Sequence, residues 1–551
     1  MTTIDPHAAG AGVAAGAGER TGGLAATVAD WVTTTDHKKI GRLFIIDSLV
    51  VLLAMAAIGA VLGFERIDAS ANTIDANALP QIFSMYRVVL TFGVVAPLGL
   101  GLAIAIVPLQ LGARALAFPR LAASGFWAWL LGSGLVIGSI IANGGPGGGN
   151  PDMVDLFLVG HVVLLAGLVA AAGAVTTSVL TTRAPGMNMR RVPMFAWSAL
   201  VGSLGLVLML PVVVGTLVLV TVDHKYGRTT FGGNTGVGEW LGFAFTQPAT
   251  FVYAVPVFGL VADTIATATR RRLAMRGVAL IGIGLVGSAF LAGVAQVDAG
   301  LRRDVLDASF SDALGDFVPF AVLNLLPLVG ALAVFAVVMQ AVAARPRIIS
   351  PFVFSFLGAA MVLVGIAANA LYHVGDAQLA DTVFEEGAWI AVCYGAVLAA
   401  LGGVTYWGPK LWGRSIADKK VLPFALLGFF ATVLATFPYF VAGFADQPGG
   451  ATTFDYNGPQ DLWNTLSTVG HALMVLTVIG FVALALRSFA TGAHAGDDPW
   501  DGQTLEWATS SPAPANNFAE IHVIKSGAPL LDLKPAVGPA SMPAQPARGD
   551  S

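Results

Sequence analysis

The chain has 551 residues, of which 56% are hydrophobic and 11% charged, and its mean hydropathy is +0.76. Soluble domains carry about 25% charged residues, so this composition excludes an ordinary soluble enzyme and predicts a polytopic membrane protein. The formal net charge of −4 offers no basic surplus for a phosphate backbone, and we expect no nucleic-acid partner.

Three segments follow one another along the chain. Residues 1–35 are rich in Ala, Gly and Thr, and we expect a flexible cytoplasmic N-terminal tail without a cleavable signal peptide. Residues 36–490 form the membrane domain, and residues 491–551, which are polar and rich in proline, form an extended cytoplasmic C-terminal tail. We expect this tail to lie against the membrane domain or against a partner.

The membrane domain contains twelve apolar stretches, each long enough as a helix to cross a hydrocarbon core of about 30 Å. They lie near residues 41–64, 81–110, 122–143, 154–182, 194–222, 239–267, 276–297, 314–342, 351–373, 386–410, 421–444 and 460–488. Runs of this length exclude the short alternating strands of a membrane β-barrel. The predicted fold is therefore all-α, a bundle of twelve transmembrane helices in contact with membrane lipid.

Basic residues are unevenly divided between the two sides of this bundle. If the first span starts from the cytoplasm, nineteen Lys and Arg residues lie on the cytoplasmic side. Five lie on the other side, namely Arg66, Lys225, Arg228, Arg302 and Arg303. Because basic residues are enriched in cytoplasmic loops, we expect both termini in the cytoplasm of a cell with a bacterial-type plasma membrane.

Short motifs occur in a fixed order along the chain. They are TDHKKIG at 35–41, QIF at 81–83, PLQLGAR at 108–114, AFPRL at 117–121, MRRVPMFAW at 189–197, DT at 381–382, YWGPK at 406–410 and PWDGQTLEW at 499–507. In sequence and order they resemble subunit I of the haem-copper terminal oxidases, the cytochrome c and quinol oxidase family. The resemblance implies a twelve-helix core, partners resembling subunits II or III, and two haems and a copper held by six histidines.

The positions that match the family's ligands carry other residues in this chain. Tyr86 takes the place of a low-spin haem ligand, Ala388 and Ile390 the places of haem ligands on the tenth span, and Gln247 that of a copper ligand. The chain has no histidine from 225 to 372, where two further copper ligands would follow. Because imidazole is the family's ligand for both metals, we expect no haem, no copper and no catalysis by this chain alone.

Charged residues lie close to two of these positions. Arg87 follows Tyr86, and Glu385 and Glu386 precede Ile390 by about one helical turn. A charge in hydrocarbon costs at least about 2.5 kcal/mol, so such groups normally face the interior and pair. We expect Arg87 to pair with Glu386 or with Glu385 inside the former haem pocket. In the alternative, both glutamates lie at the outer water boundary and Arg87 reaches towards it.

Three functions are compatible with these residues. The first is a redox-inactive subunit of a respiratory complex with a structural, assembly or regulatory role. The second is a working oxidase with haem and copper, in which Tyr86 and Cys393, one turn beyond Ile390, are unusual haem ligands. The third is a transporter or channel that reuses the polar interior of the bundle.

Overall fold

The computed structural model describes residues 23–68, 74–75, 78–232, 240–242, 244, 248–297, 299–305, 307–455, 458–520 and 523–533. The chain divides into two units, Met1–Thr34 and Thr35–Ser551. In the first unit, within the segment predicted to be a flexible tail, Leu24–Val32 forms a short helix, α1.

The second unit contains twelve helices that are long and apolar enough to cross a membrane. They are α2 His37–Glu65, α3 Leu79–Gln110, α4 Pro119–Ile141, α5 Pro151–Thr181, α6 Met194–Lys225, α7 Phe251–Thr269, α8 Arg276–Ala295, α9 Phe310–Val342, α10 Ser350–Tyr372, α11 Phe384–Trp412, α12 Asp418–Phe444 and α13 Gln460–Thr491. A last short helix, α14, spans Pro529–Leu533. The prediction of an all-α bundle of twelve spans is confirmed.

Local sequence explains where several of these helices begin. The side chain of Asp36 accepts a hydrogen bond from the backbone amide of Lys38 at 3.0 Å and so caps α2. The sixth span begins at Phe251, twelve residues later than predicted, after a 3₁₀ turn over Pro248–Thr250. Hydropathy alone placed this start too early, because apolar residues continue upstream of Pro248. Proline favours the first turn of a helix, which agrees with a start near this residue.

Three helices form the centre of the bundle. The apolar stretch of α11 is buried along its whole length, and those of α3 and α7 are 94% and 89% buried. The corresponding stretches of α2, α4 and α13 are less than half buried, which leaves one face of each helix for lipid. The family ligand positions on the second and tenth spans therefore lie on central helices.

Helix α3 changes its winding directly after the first of these positions. Residues Val89–Val95 form a π-helical segment, and the regular helix resumes at Ala96. Pro97 follows at once and cannot donate a backbone hydrogen bond, so the wider turn accommodates the missing donor. The segment sets the rotation of the second half of α3, Ala96–Gln110, relative to Tyr86.

Helices α10 and α11 approach each other through small residues. A Cβ atom added to Gly358 would lie 2.5 Å from the carbonyl oxygen of Gly395, and one added to Gly395 would lie 2.7 Å from that of Gly358. Neither position has room for a side chain. Small residues at such contacts let helix backbones pack closely where lipid supplies no hydrophobic driving force.

The C-terminal tail packs against one end of the bundle, called the tail end below. The indole nitrogen of Trp500 donates to the carbonyl of Tyr406 at 2.9 Å, and the amide of Asn517 donates to the carbonyl of Ala113 at 2.8 Å. Asn517 is fully buried and also accepts from the ammonium group of Lys38 at 3.1 Å. The tail thus contacts the start of α2, the segment that follows α3 and the last turns of α11.

Candidate functional site

The ligand positions on the second and tenth spans lie inside the bundle. Tyr86, Ala388 and Ile390 are all buried, whereas Gln247 is outside the residues that the structure describes. The Tyr86 ring meets the Trp389 ring edge to face, with centroids 5.4 Å apart. The Tyr86 hydroxyl lies beside that of Tyr394 without a well-formed hydrogen bond.

Four helices meet around this tyrosine. His471 on α13 shares a hydrogen bond of 2.8 Å with the Tyr394 hydroxyl through its Nδ1 atom. A Cβ atom on Gly59 of α2 would lie 2.8 Å from that Nδ1 and 3.0 Å from the Tyr86 hydroxyl oxygen. We call Tyr86, Trp389, Tyr394 and His471 the tyrosine–histidine cluster. It includes the ligand position on α3 and extends along α11 from Trp389, next to Ile390, to Tyr394, one turn further on.

Two arginine–glutamate pairs lie at the end of the bundle opposite the tail. Arg87 pairs with Glu385, with 3.1 Å between Nη2 and Oε2, and about a fifth of each side chain is exposed. Glu386 accepts two hydrogen bonds of 2.9 Å from Arg66. Adjacent residues on a helix point about 100° apart, so the two glutamates reach different neighbours.

Arg66 has a full set of partners in a buried position. Its side chain is 1% exposed, its Nε donates to the carbonyl of Ala451 at 2.8 Å, and one Nη1 hydrogen bond reaches the hydroxyl of Tyr439 at 3.2 Å. Burial would lower the pKa of Arg66, but the charge of Glu386 outweighs it and raises this pKa. Glu386 also accepts from the backbone amide of Gly450 at 2.8 Å.

Sequence reasoning counted Arg66 only as a basic residue of an outer loop. A signal was available, because Arg66 directly follows α2 and Glu386 lies in the first turn of α11. The end of α2 and the start of α11 lie at the same side of a bundle whose spans alternate in direction. Choosing Arg66 over Arg87 still required the relative rotation of the helices.

The middle of the bundle, between α3, α7 and α11, is apolar and closely packed. Two small voids of about 20 and 10 Å³ lie there, both bordered by Gly99, Tyr253 and Pro256. Tyr253 donates its hydroxyl hydrogen to the carbonyl of Ala244 at 2.9 Å. Side chains, rather than open space, occupy this central region.

A buried carboxylate, that of Asp263 on α7, lies at the tail end. Both of its oxygens accept backbone amide hydrogens, from Met194 at 3.1 Å and from Phe195 at 2.9 Å. These are the first two residues of α6, whose amides have no partner within the helix. Asp263 therefore stabilises the start of α6 from a neighbouring helix.

Glu506, from the tail, is the second buried carboxylate of this region. It accepts hydrogen bonds from Gln110 at 3.0 Å and from the Trp407 indole at 3.2 Å, and Gln110 also donates to Asp263 at 3.2 Å. Burial raises the pKa of Glu506 to about 7, and the nearby Asp263 charge adds to this rise. The hydrogen bonds from Gln110 and Trp407 act in the opposite direction.

The described residues hold no group of three or more His, Cys, Asp or Glu side chains that could bind a metal ion together. Cys393 is a buried free thiol on α11. Four histidines lie within the spans. His37 shares a hydrogen bond with the carbonyl of Ile104, His161 with the carbonyl of Phe157 at 3.1 Å and His224 with the carboxylate of Asp155, and His471 is in the tyrosine–histidine cluster.

Comparisons with known proteins bear on the same region. Residues 39–479 match the family model described as cytochrome C and quinol oxidase polypeptide I. The chain is 29% identical to a putative cytochrome c oxidase subunit 1-beta of Streptomyces avermitilis, over 92% of each chain. It is 28% identical to cytochrome c oxidase subunit 1 of Bacillus subtilis, over 94% of this chain and 85% of the relative.

A solved structure supports the fold. The cryo-EM structure of a heme-copper terminal oxidase dimer matches 83% of this chain and 85% of its own chain, with a TM-score of 0.64 and 14% identity. At that identity the likeness concerns the arrangement of the helices. It agrees with the twelve spans described above.

These matches show that the expectation of no cofactor is wrong. The matched family and relatives are haem-copper oxidases, which carry haem and copper, and missing ligands at single positions are weak evidence against both groups. Position by position, however, the fit is poor, because Ala388 and Ile390 offer only hydrocarbon and Tyr86 offers one phenol oxygen.

Proposed function

Because this chain belongs to the cytochrome c and quinol oxidase polypeptide I family, we propose that it is a structural, assembly or regulatory subunit of a respiratory membrane complex. It is an integral membrane protein related to subunit I of the oxidases. In this proposal it binds subunit II-like or III-like partners and does not itself reduce oxygen.

The observation that carries the proposal is the replacement of the ligand positions by residues with structural contacts. Tyr86 packs against Trp389, and the Tyr394–His471 hydrogen bond ties α11 to α13 beside them. Above this cluster, Arg66 and Glu386 tie the end of α2 to the start of α11. Such contacts stabilise the packing of the helices against one another.

The basic residues support an orientation for this subunit. Nineteen Lys and Arg residues of the spans and loops lie at the tail end, against six at the opposite end when Arg87 is counted with the five loop residues, an asymmetry typical of cytoplasmic and external loops. We therefore place both termini in the cytoplasm and the bundle in a bacterial-type plasma membrane. The arginine–glutamate pairs then lie near the outer surface.

The test is purification of the tagged full chain from its native membrane, before and after removal of its partners. We expect subunit II-like or III-like proteins to co-purify, and we expect their amount in the membrane to fall when the chain is deleted. The isolated chain should consume no oxygen with reduced quinol or reduced cytochrome c. Oxygen consumption by the isolated chain, or unchanged partner levels after deletion, would contradict the proposal.

A second candidate is a working oxidase with unusual haem ligands, and one observation favours it. The Tyr86 hydroxyl is buried without a well-formed hydrogen bond, so it is free to bind a ligand, and Cys393 lies on α11 one turn beyond Ile390. A phenolate can ligate haem iron. Bound haem would supply electron transfer, and Tyr86 would hold it.

Haem content tests Tyr86 as the ligand in this candidate. Haem per chain is measured by the pyridine haemochrome method in the native protein, in Tyr86→Phe and in the control Tyr394→Phe. The second candidate requires haem in the native protein, its loss in Tyr86→Phe and its retention in Tyr394→Phe. A native protein without haem, or equal haem in both variants, would exclude Tyr86 as a ligand.

A further inference from the structure

A cavity of about 140 Å³ with two arginines in its lining lies at the tail end of the bundle, apart from the tyrosine–histidine cluster. Residues of α7, the α7–α8 loop and the start of α8 form one side, and the tail segments 503–504 and 526–528 form the other. Arg272 and Arg276 line the cavity together with the hydroxyl residues Thr267, Thr504 and Ser526. The Ser526 hydroxyl donates to Asp532 and the Thr267 hydroxyl shares a hydrogen bond with Tyr406, so the two guanidinium groups supply the donors of the cavity.

Arg276 is held in place with donors to spare. Its Nε donates to the carbonyl of Arg190 at 3.2 Å, and its Nη2 donates to the carbonyl of Val192. The described residues provide no acceptor for Nη1, although a guanidinium carries five N–H donors. Gly527 covers this group from the tail, since a Cβ atom there would lie 2.9 Å from Nε.

The charge around the cavity is positive. Of the residues that line it, Arg272 and Arg276 are basic and Asp263 is acidic, and backbone amides and Gln110 already donate to the oxygens of Asp263. The tail carboxylate Asp532 pairs with Arg272 from outside the lining. Arg270, which pairs with Asp501, does not line the cavity. Two guanidinium groups in the lining, one of them with an unused donor, favour a bound anion.

We propose that this cavity binds a phosphate group, with Arg272 and Arg276 as its principal contacts. Guanidinium groups match phosphate oxygens in geometry and form charge-assisted hydrogen bonds with them. The cavity lies between the end of α7 and the start of α8, where a span meets the water boundary. Both a free phosphate ion and the headgroup of a phospholipid can supply this group.

The test uses the full chain purified in detergent. Its thermal unfolding is followed as inorganic phosphate is added, with chloride at equal ionic strength as the reference. Arg272→Gln, at a residue whose side chain is 58% exposed, should weaken phosphate binding. The loss should be about tenfold, because one charge-assisted hydrogen bond contributes on that scale. Asp532→Asn, which frees Arg272, should strengthen binding, and the control Arg270→Gln should leave it unchanged.

A second arm identifies the source of the phosphate. The chain is placed in nanodiscs of phosphatidylcholine with or without phosphatidic acid, and lipid retained after extraction is measured by native mass spectrometry. Saturable binding of inorganic phosphate assigns the free ion, and retention of phosphatidic acid alone, reduced by Arg272→Gln, assigns the headgroup. Equal losses in Arg272→Gln and Arg270→Gln, or no binding of either probe, would overturn the proposal.

Discussion

The buried pair of Arg66 and Glu386 offers the sharpest test of the packing at the outer end of the bundle. We consider Glu386→Gln, which keeps the shape of the side chain and removes its charge. Arg66 would then retain a charge at 1% exposure without a carboxylate partner. Removing one partner of a buried ion pair costs about 3–5 kcal/mol, because the remaining charge stays desolvated.

The neighbouring pair supplies a matched control. Glu385→Gln removes the same charge one residue earlier, but Arg87 and Glu385 are each about a fifth exposed. Exposed ion pairs contribute at most about 1 kcal/mol, and a partly exposed pair should cost more than this but less than a buried one. We therefore expect Glu386→Gln to be clearly the more destabilising of the two.

Thermal unfolding of the purified chain in detergent, followed by size-exclusion chromatography, ranks the two variants. The double variant Arg66→Gln/Glu386→Gln should recover part of the loss, since neither buried charge is then left alone. Equal losses in Glu386→Gln and Glu385→Gln, or no recovery in the double variant, would refute the assignment of Arg66 to Glu386.

Three further predictions concern the other clusters. Tyr394→Phe removes a buried hydrogen bond and should lower the free energy of unfolding by about 1–3 kcal/mol. Tyr86→Phe removes a hydroxyl without a well-formed hydrogen bond and should change the free energy of unfolding little. Thermal unfolding compares the two variants. Gly358→Ala should cost about 1–3 kcal/mol by overpacking, while Gly134→Ala meets open space and serves as its control. The pKa of Glu506 is about 7 in the native state, against an ordinary value of 4.5. Between these two pH values the native state holds a proton that the unfolded chain releases. The stabilisation of the native state by this protonated carboxyl group is therefore complete below pH 4.5 and is lost as pH rises through 7. Proteolysis of the tail should accelerate over that range in the native protein and not in Glu506→Gln; an unchanged pH profile in that variant would contradict the assignment.

The candidate site was predictable only in part. The sequence placed Tyr86, Ala388 and Ile390 on two spans and put charges beside them, and the structure brings Arg87 to Glu385 while it assigns Glu386 to Arg66. The partner of Glu386 lies 320 residues away along the chain, and no local pattern encodes that distance. The expectation of no cofactor failed for a different reason, since it gave the residues at single ligand positions more weight than the match of the whole chain to a haem-copper oxidase family.

The number and order of the spans follow from the sequence alone, because a helix crosses hydrocarbon wherever about 20 apolar residues occur in a row. The side chains that meet inside the bundle were decided by tertiary structure. A step of one residue turns a side chain by about 100°, so small differences in helix rotation and depth determine whether Glu385 or Glu386 reaches a given arginine. The same holds for His471, whose partner Tyr394 is 77 residues away. Contacts between helices depend on the packing of all twelve spans together, which no single stretch of sequence contains.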